Sequence, residues 1–466
     1  LKTNELITSY QNKNFELAIK QALSIIKRYP THIPSIKILG SIYEQTDKFN
    51  EALEANQKVL KINPKDPESL TNLGIIFFKL GKLKDAVINF RQALILKPEF
   101  TLALYNLGNT LKKIGNLEEA EINFKKCTEL NPNFIEAYIN LADTESENNK
   151  FQDAERSLKK CIELKQNFIP AHYNLGNAHR ESGRFDEALL SYEKAIEHNP
   201  AHADALCNKG LTEMLPPGLD SAIHALSQAI AVDPDQDMAR FYHAVATEMI
   251  GSDAQSLFEK LPGDDQTTDA WLDSWTYVKS HSMLDTEIIH DPFALLEHAL
   301  SKALLEGLAL EFGVRHGLSI RHIAQHCSQA IHGFDSFRGL PSAWGGEPEG
   351  VYTTGGALPA VPENVTLHEG LFEDTLGAFL GSHPGDIRFC NIDCDIYAST
   401  VTVLDALAPR IKPGTVLVFD EYLINPTWRD DEFKAFTEAV AKYGWQYHYI
   451  AFGIVTKQAA IIIDKI

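Results

Sequence analysis

Alanine returns every 34 residues along the first half of this chain, at Ala18, Ala52, Ala86, Ala120, Ala154, Ala188 and Ala222. Pro30, Pro64, Pro98, Pro132, Pro200 and Pro234 keep the same step, with Gln166 in the one place between. Gly40, Gly74, Gly108, Gly176 and Gly210 keep it too, and Ala142 stands in once. Small residues at fixed points let two helices approach closely, while proline stops the second helix because it cannot continue the hydrogen-bond ladder. The period therefore predicts seven helix–turn–helix repeats, stacked because no single repeat can bury its own apolar face. The first repeat lacks the start of its leading helix, which implies a short segment before Leu1. A polar-interrupted helix near Met238–Ile250 reads as the cap that such an array needs.

A 34-residue helix–turn–helix period is the tetratricopeptide signature. A second ladder runs inside it: Asn72, Asn106, Asn140, Asn174 and Asn208, each two residues before the Gly/Ala contact position. These amides would line a groove, and an amide can both donate to and accept from an extended peptide backbone. The array here resembles the superhelix of O-GlcNAc transferase, whose asparagine ladder grips polypeptide, which implies a protein or peptide partner. The same asparagines could instead solvate the groove or pin neighbouring helices.

The second half has a different texture. Apolar runs that read as buried strands, Ile387–Ile392 and Thr415–Phe419, end in acids: Asp393 and Asp395 after the first, Asp420 and Glu421 after the second. Open parallel α/β sheets bind ligands beyond the carboxyl ends of their strands. Carboxylates crowded there repel one another unless a cation lies between them, and oxygen donors suit a hard divalent ion. Upstream, a short strand enters Glu311, then Gly313, Gly317 and Ser319 lead into a helix over Ser319–His326. Glycines permit a sharp turn, and a helix start offers free N–H groups. Another strand, Ala330–Asp335, ends in an acid 22 residues past Gly313, close to the roughly 20-residue spacing of a ribose-binding carboxylate. An acid at Glu311 gains a phosphate loop nothing, whereas it suits a cationic sulfonium.

Five ordered blocks then make a specific match. They are Glu311-Phe-Gly-Val-x-x-Gly-x-Ser319, Gly333-Phe-Asp-Ser-Phe-x-Gly-Leu-Pro341, Gly370-Leu-Phe-Glu-Asp-Thr-Leu376, Ile392-Asp-x-Asp-x-Tyr-x-Ser-Thr400 and Phe419-Asp-Glu-Tyr422. Residues 285–466 resemble the macrocin O-methyltransferase family, class I enzymes that use S-adenosylmethionine and magnesium to methylate sugar hydroxyls. The resemblance implies cofactor contacts at Glu311, Gly313, Gly317, Ser319, Asp335, Ser336, Gly370 and Phe372. It also implies Mg²⁺ on Asp393, Asp420 and Glu421, with Asp395 as general base. One departure stands out: the family carries Asp-Asp where this chain has Asp420-Glu421. A Gly/Pro-rich stretch from Pro341 to Asn364 reads as a lid, with Trp344 and Tyr352 placed to touch substrate.

At 466 residues the chain is too long for one ordinary domain. The expected organisation is an all-α tetratricopeptide solenoid over 1–250, linker helices over 251–284, and a Rossmann-like class I methyltransferase domain over 285–466. Helices at 268–275 and 292–305 lead into its sheet, and strands at 446–452 and 458–463 complete it. The net charge of −20 is concentrated in residues 251–466, which hold 14 basic and 30 acidic side chains. That balance excludes nucleic acid and anionic membrane as partners and suits a cationic cofactor and a metal. Six cysteines show no disulfide or metal spacing, and there is no signal peptide or membrane-length apolar run, as expected in a reducing cytoplasm. Cys127 and Cys161 read as packing residues, and Cys394 has no histidine placed to activate it. Competing expectations are a protein or phenolic acceptor, and a scaffold whose methyltransferase domain is silent.

Overall fold

The computed structural model describes residues 2–214, 218–261, 266–344 and 349–466. The helix break expected at 261–265 and the middle of the expected lid, 345–348, therefore lie outside the described residues, Leu261 excepted. The chain divides into two compact units, residues 1–174 and 175–466.

In the first unit, helices pair as Lys2–Gln11 with Phe15–Arg28, Ile33–Gln45 with Phe49–Ile62, and Pro67–Lys79 with Leu83–Leu96. Thr101–Ile114 with Leu117–Leu130, and Ile135–Glu147 with Phe151–Leu164, follow at the same step. The periodic alanines Ala18, Ala52, Ala86, Ala120 and Ala154 are fully buried. The glycine positions have a direct cause. A Cβ on Gly74 would stand 2.5 Å from the Phe90 ring, and one on Gly108 would stand 2.7 Å from Phe124. Sixteen residues after Ala142 stands Leu158 in place of an aromatic ring. Each second helix ends two residues before its periodic proline, as Ile62 does before Pro64 and Leu96 before Pro98.

The second unit opens with further repeat helices, Phe185–His198, Ala203–Glu213 and Leu219–Val232, followed by Asp237–Met249 where the cap is expected. Here too a Cβ on Gly176 would meet the Tyr192 ring at 2.5 Å. Gln255–Phe258 and Gln266–His281 complete the helical part. The last repeats share one buried cluster with the sheet that follows: Leu226, Phe241, Tyr242 and Val245 join Trp275, Trp428 and Phe452. The Tyr242 hydroxyl donates to the Ile454 carbonyl at 3.1 Å, and Trp275 Nε1 donates to Glu248 at 2.7 Å.

Eight strands follow: β1 (Glu287–Ile288), β2 (Leu308–Phe312), β3 (Ile331–Asp335), β4 (Val365–Glu369), β5 (Ile387–Ile392), β6 (Val416–Phe419), β7 (Gln446–Phe452) and β8 (Ala459–Lys465). Five helices accompany them: α1 (Pro292–Lys302), α2 (Leu318–His326), α3 (Phe372–Ser382), α4 (Tyr397–Leu407) and α5 (Glu432–Tyr443). The order is β1-β7-β8-β6-β5-β2-β3-β4, parallel except for β8, which is antiparallel to both neighbours. Alternate residues of the central strands enter opposite cores. Leu310, Phe312, Leu417 and Phe419 face one side, while Ala309, Val416 and Val418 face the other. A sheet covered on both faces accounts for the continuous apolar runs of β5 and β6. The chain leaves β2 towards β3 on one side and returns to β5 on the other, so the strand order reverses between β2 and β5. Such a switch point opens a crevice beyond the strand ends.

Candidate active site

Each strand next to the switch point carries its pairing one residue further, which brings the chemistry to one edge. Gly313 N donates to Phe334 O at 3.0 Å, Asp393 N to Phe312 O at 2.9 Å, Asp420 N to Ile392 O at 3.0 Å, and Gly370 N to Asp335 O at 3.0 Å. The residue after the end of each strand is thus held in register. Gly313 packs backbone to backbone on Asp393: with φ at +89°, a Cβ there would lie 1.8 Å from the Asp393 carbonyl oxygen. Only glycine fits.

A cavity of about 710 Å³ opens at this edge. It is lined by Gly313, Asp335, Ser336, Gly370, Phe372, Asp393, Asp395, Asp420 and Glu421, so nine of the expected site residues meet there. Glu311, Gly317 and Ser319 do not line it. Glu311 is fully buried on the α2 side of the sheet and accepts from Ser319 Oγ at 2.7 Å, while its Oε2 has no hydrogen-bond partner. Burial pushes its pKa up to about 8, against the hydrogen bonds from Ser319 and Asn391. Gly317 caps α2 in the left-handed region at φ +73°. Asp335 accepts from Arg315 N and from Phe337 N, both at 2.6 Å, so its carboxylate shapes the glycine turn as well as facing the cavity. Ser336 Oγ accepts from Arg338 N at 3.1 Å and donates to the Gly339 carbonyl at 3.3 Å.

The acids are half-buried and repel one another. Burial raises Asp393 well above the usual carboxylate range, and the neighbouring Asp420, Asp395, Glu432 and Glu311 add to the rise. Asp395, at φ +57°, is pushed up to about 7 by burial and by Glu421 and Asp420, with Arg315 and Lys457 opposing. Burial also raises Asp420 and Glu421. Two groups from the β7–β8 turn temper these charges. Gln458 Nε2 donates to Asp420 Oδ1 at 2.6 Å, and Lys457 Nζ lies 3.0 and 3.1 Å from the two Glu421 oxygens. Among the described residues, the one group of three or more acids, histidines or cysteines whose donor atoms all lie within 4.8 Å of each other is elsewhere, at Glu297, His322 and His326. Asp393, Asp420 and Glu421 do not converge that closely; Gln458 holds Asp420 and Lys457 holds Glu421.

Sequence reasoning missed the side chain that ties the acid loops together. Glu432, fully buried at the start of α5, accepts from Cys394 N at 3.0 Å through one oxygen and from Glu421 N at 3.2 Å through the other. It also missed Arg315, whose guanidinium stacks over the Tyr352 ring at 4.8 Å. Burial lowers the Arg315 pKa while Tyr352, Asp393, Asp395 and Asp335 favour its charge. Of the expected lid, Leu340 N donates to Val351 O at 2.8 Å and Gly350 N to Leu340 O at 2.9 Å. Trp344 and Tyr352 both line the cavity.

The asparagine ladder is half-buried at all five positions. Asn72 Nδ2 donates to Asn56 at 3.3 Å, and Asn106 Nδ2 returns to Leu102 O on its own helix at 2.7 Å. Asn140 reaches the preceding repeat, donating to Asn109 at 2.7 Å and to the Tyr105 hydroxyl at 3.1 Å. In the second unit Asn208 donates to Asn177 at 2.9 Å.

Comparison with known proteins agrees with this division. A methyltransferase-domain family model matches residues 310–422. Tetratricopeptide models match 40–81 and 76–115, 101–134 and 169–202, and 123–156. A 63-residue segment is 35% identical to 8-demethyl-8-(2,3-dimethoxy-alpha-L-rhamnosyl)-tetracenomycin-C 4'-O-methyltransferase of Streptomyces olivaceus, covering 14% of this chain and 23% of that protein's length. The solved structure of YrrB, described as a TPR protein with an unusual peptide-binding site, is 26% identical over 40% of this chain and 97% of its own, with a TM-score of 0.36. The C-terminal part of a TPR repeat-containing protein from Cytophaga hutchinsonii is 17% identical over 51% of this chain and 97% of its own, with a TM-score of 0.45. No helix of the described residues is long and apolar enough to cross a membrane.

Proposed function

We propose that this fusion of tetratricopeptide repeats with a methyltransferase domain is an S-adenosylmethionine-dependent, Mg²⁺-assisted O-methyltransferase acting on a sugar hydroxyl. The observation that carries the reading is the meeting of a glycine turn and three half-buried aspartates in one cavity at the switch point of the sheet. A sugar acceptor draws support from the likeness to a rhamnosyl O-methyltransferase. A protein or other macromolecular carrier of that sugar, held by the repeats, draws support from the tetratricopeptide matches. Six buried free cysteines support a reducing, cytoplasmic setting.

Gly313, Asp335, Ser336, Gly370 and Phe372 would hold the methyl donor, with Glu311, Gly317 and Ser319 beneath the turn. Asp393, Asp420 and Glu421 would hold the ion, Glu421 sharing its charge with Lys457. This donor set fits a hard cation, since the half-buried Asp393, whose pKa Asp420 and Asp395 help to raise, is relieved by positive charge. When bound, S-adenosylmethionine supplies the electrophilic methyl group and Mg²⁺ supplies positive charge beside the acceptor oxygen. Asp395 would take the proton of the acceptor hydroxyl at a carboxylate oxygen, while the hydroxyl oxygen itself receives the methyl group and S-adenosylhomocysteine leaves. Burial raises the Asp395 pKa above the usual carboxylate range, which favours uptake of a proton. Glu432 fixes the spacing of the two acid loops, and Arg315 holds Tyr352 against the cavity to exclude water.

The reading is tested by calorimetric titration of the full chain with S-adenosylhomocysteine, followed by thermal unfolding. Binding to the native state alone should add about 2.7 kcal/mol of stability at a ligand concentration of about 100 Kd, and NAD should add none. Absence of any binding by S-adenosylhomocysteine would sink the assignment.

A further inference from the structure

A second convergence of donor atoms lies away from the acid cavity, where α1 meets α2. Glu297 comes from α1; His322 and His326 come from α2, four residues apart and therefore on one face. Both imidazoles address the same carboxylate oxygen: His322 Nε2 stands 3.0 Å and His326 Nε2 3.4 Å from Glu297 Oε1. Three donors bound to one ion at about 2.0–2.1 Å in tetrahedral geometry would be spaced about 3.3 Å apart. The two measured separations bracket that spacing.

The surroundings prepare the imidazoles as ligands. His326 Nδ1 lies 3.0 Å from the His322 carbonyl oxygen, which makes Nδ1 the donor and leaves the Nε2 lone pair free. The Phe293 ring packs 4.7 Å from the His322 ring, and the two imidazoles lie 4.6 Å apart. An ordinary ion pair explains the cluster less well. His322 Nε2 is buried and misaligned for a hydrogen bond despite its proximity to Glu297.

We propose that Glu297, His322 and His326 form a site for a borderline divalent cation, zinc being the best matched. Imidazole donors select zinc-like ions over magnesium, so this site and the acid cavity would discriminate by chemistry. The Glu297 and His326 side chains are 47% and 39% exposed, which leaves a coordination position open to water. The ion would clamp α1 to α2, the helix that begins directly after Gly317.

The test is zinc titration of the full chain, without a histidine tag and with saturating Mg²⁺, in competition with a chromophoric chelator. One equivalent should be retained. His322→Ala and His326→Ala should each weaken it on the order of 100-fold, and Glu297→Gln roughly 10-fold or more, since even supporting residues around a metal contribute 10–100-fold. Cobalt should give tetrahedral visible absorption in the wild type and none in the double histidine variant. His322→Gln and His326→Gln provide the same comparison if the alanine variants unfold. Failure of the wild type to retain zinc overturns the proposal. So does equal zinc affinity in the wild type and a folded double variant, or loss of zinc on Asp420→Asn instead of on the histidine changes.

Discussion

Asp395 and Asp420 follow different strands, Asp420 raises the cost of ionising Asp395, and their surroundings separate their roles. Asp420 is fixed by Gln458 at the end of β6, whereas Asp395 sits in a left-handed turn between Arg315 and Glu421. Asp420→Asn should weaken Mg²⁺ binding, so that activity returns in part at high metal concentration. Asp395→Asn should leave metal affinity nearly unchanged and lower turnover by roughly 10²–10⁴, the usual worth of a placed general base. Metal titrations of both variants decide it, and equal Mg²⁺ affinity in wild type and Asp420→Asn would remove that residue from the ion. His290 makes an independent prediction about stability. It is fully buried, accepts from Val455 N at 3.4 Å, and has its pKa pushed down to about 4 by burial. The unfolded chain, with a histidine pKa near 6.5, takes up the proton first as pH falls. The stability His290 contributes is therefore present above about pH 6.5 and is lost towards pH 4. Between pH 7 and pH 5 this loss should be about 2 kcal/mol. Denaturant unfolding at both values should show that much less pH dependence in His290→Gln, whose amide oxygen can still accept from Val455.

At the scale of elements, the repeat spacing was legible because it follows from local contact. The glycine at three crossings (Gly74, Gly108 and Gly176) answers an aromatic residue sixteen places on, Gly210 answers Leu226 and Gly40 answers Asn56, and both partners lie within one repeat. Gly108→Ala should cost about 1–3 kcal/mol by overpacking against Phe124. Gly108→Ala combined with Phe124→Leu should recover part of it, because the chain itself pairs Ala142 with Leu158. Thermal or denaturant unfolding of the two variants measures this, and equal loss in both would refute the account. The strands β5 and β6 and their terminal acids were legible for a similar reason, as apolar runs buried on both faces. β4 was not, since Val365–Glu369 pairs on one side only and is largely polar and partly exposed. β1 is two residues long. Glu432, Lys457 and Gln458 escaped because nothing local marks them. They reach the acids only when α5 and the β7–β8 turn fold back over the strand ends. Glu421 has such a partner too: its side chain meets Lys457.

For the whole molecule, the repeats accompany a candidate site whose cavity-lining residues run from Gly313 to Glu421. Their last members share a core with the sheet domain, so that part of the array is structural for the enzyme as well as a surface. The asparagine ladder divides by its hydrogen bonds. Asn140 is committed to Tyr105 and Asn109 of the preceding repeat, and its loss would loosen the array. Asn106 spends its amide N–H on its own helix, and Asn72 reaches Asn56 at the longer distance of 3.3 Å. The discriminating variant therefore replaces Asn72, Asn106 and Asn174 by alanine and leaves Asn140 in place. If the ladder holds extended polypeptide, each lost amide should cost about 0.5–1.5 kcal/mol of binding to a macromolecular acceptor. The loss should be graded across single, double and triple variants. Turnover on a small soluble glycoside should not change, because that acceptor needs only the cavity beyond β2 and β5. Initial rates on both acceptors, with unfolding curves for each variant, separate the alternatives. A triple variant that melts well below wild type makes these asparagines structural. One that methylates both acceptors at the wild-type rate removes the ladder from substrate capture and leaves the repeats as a surface for assembly.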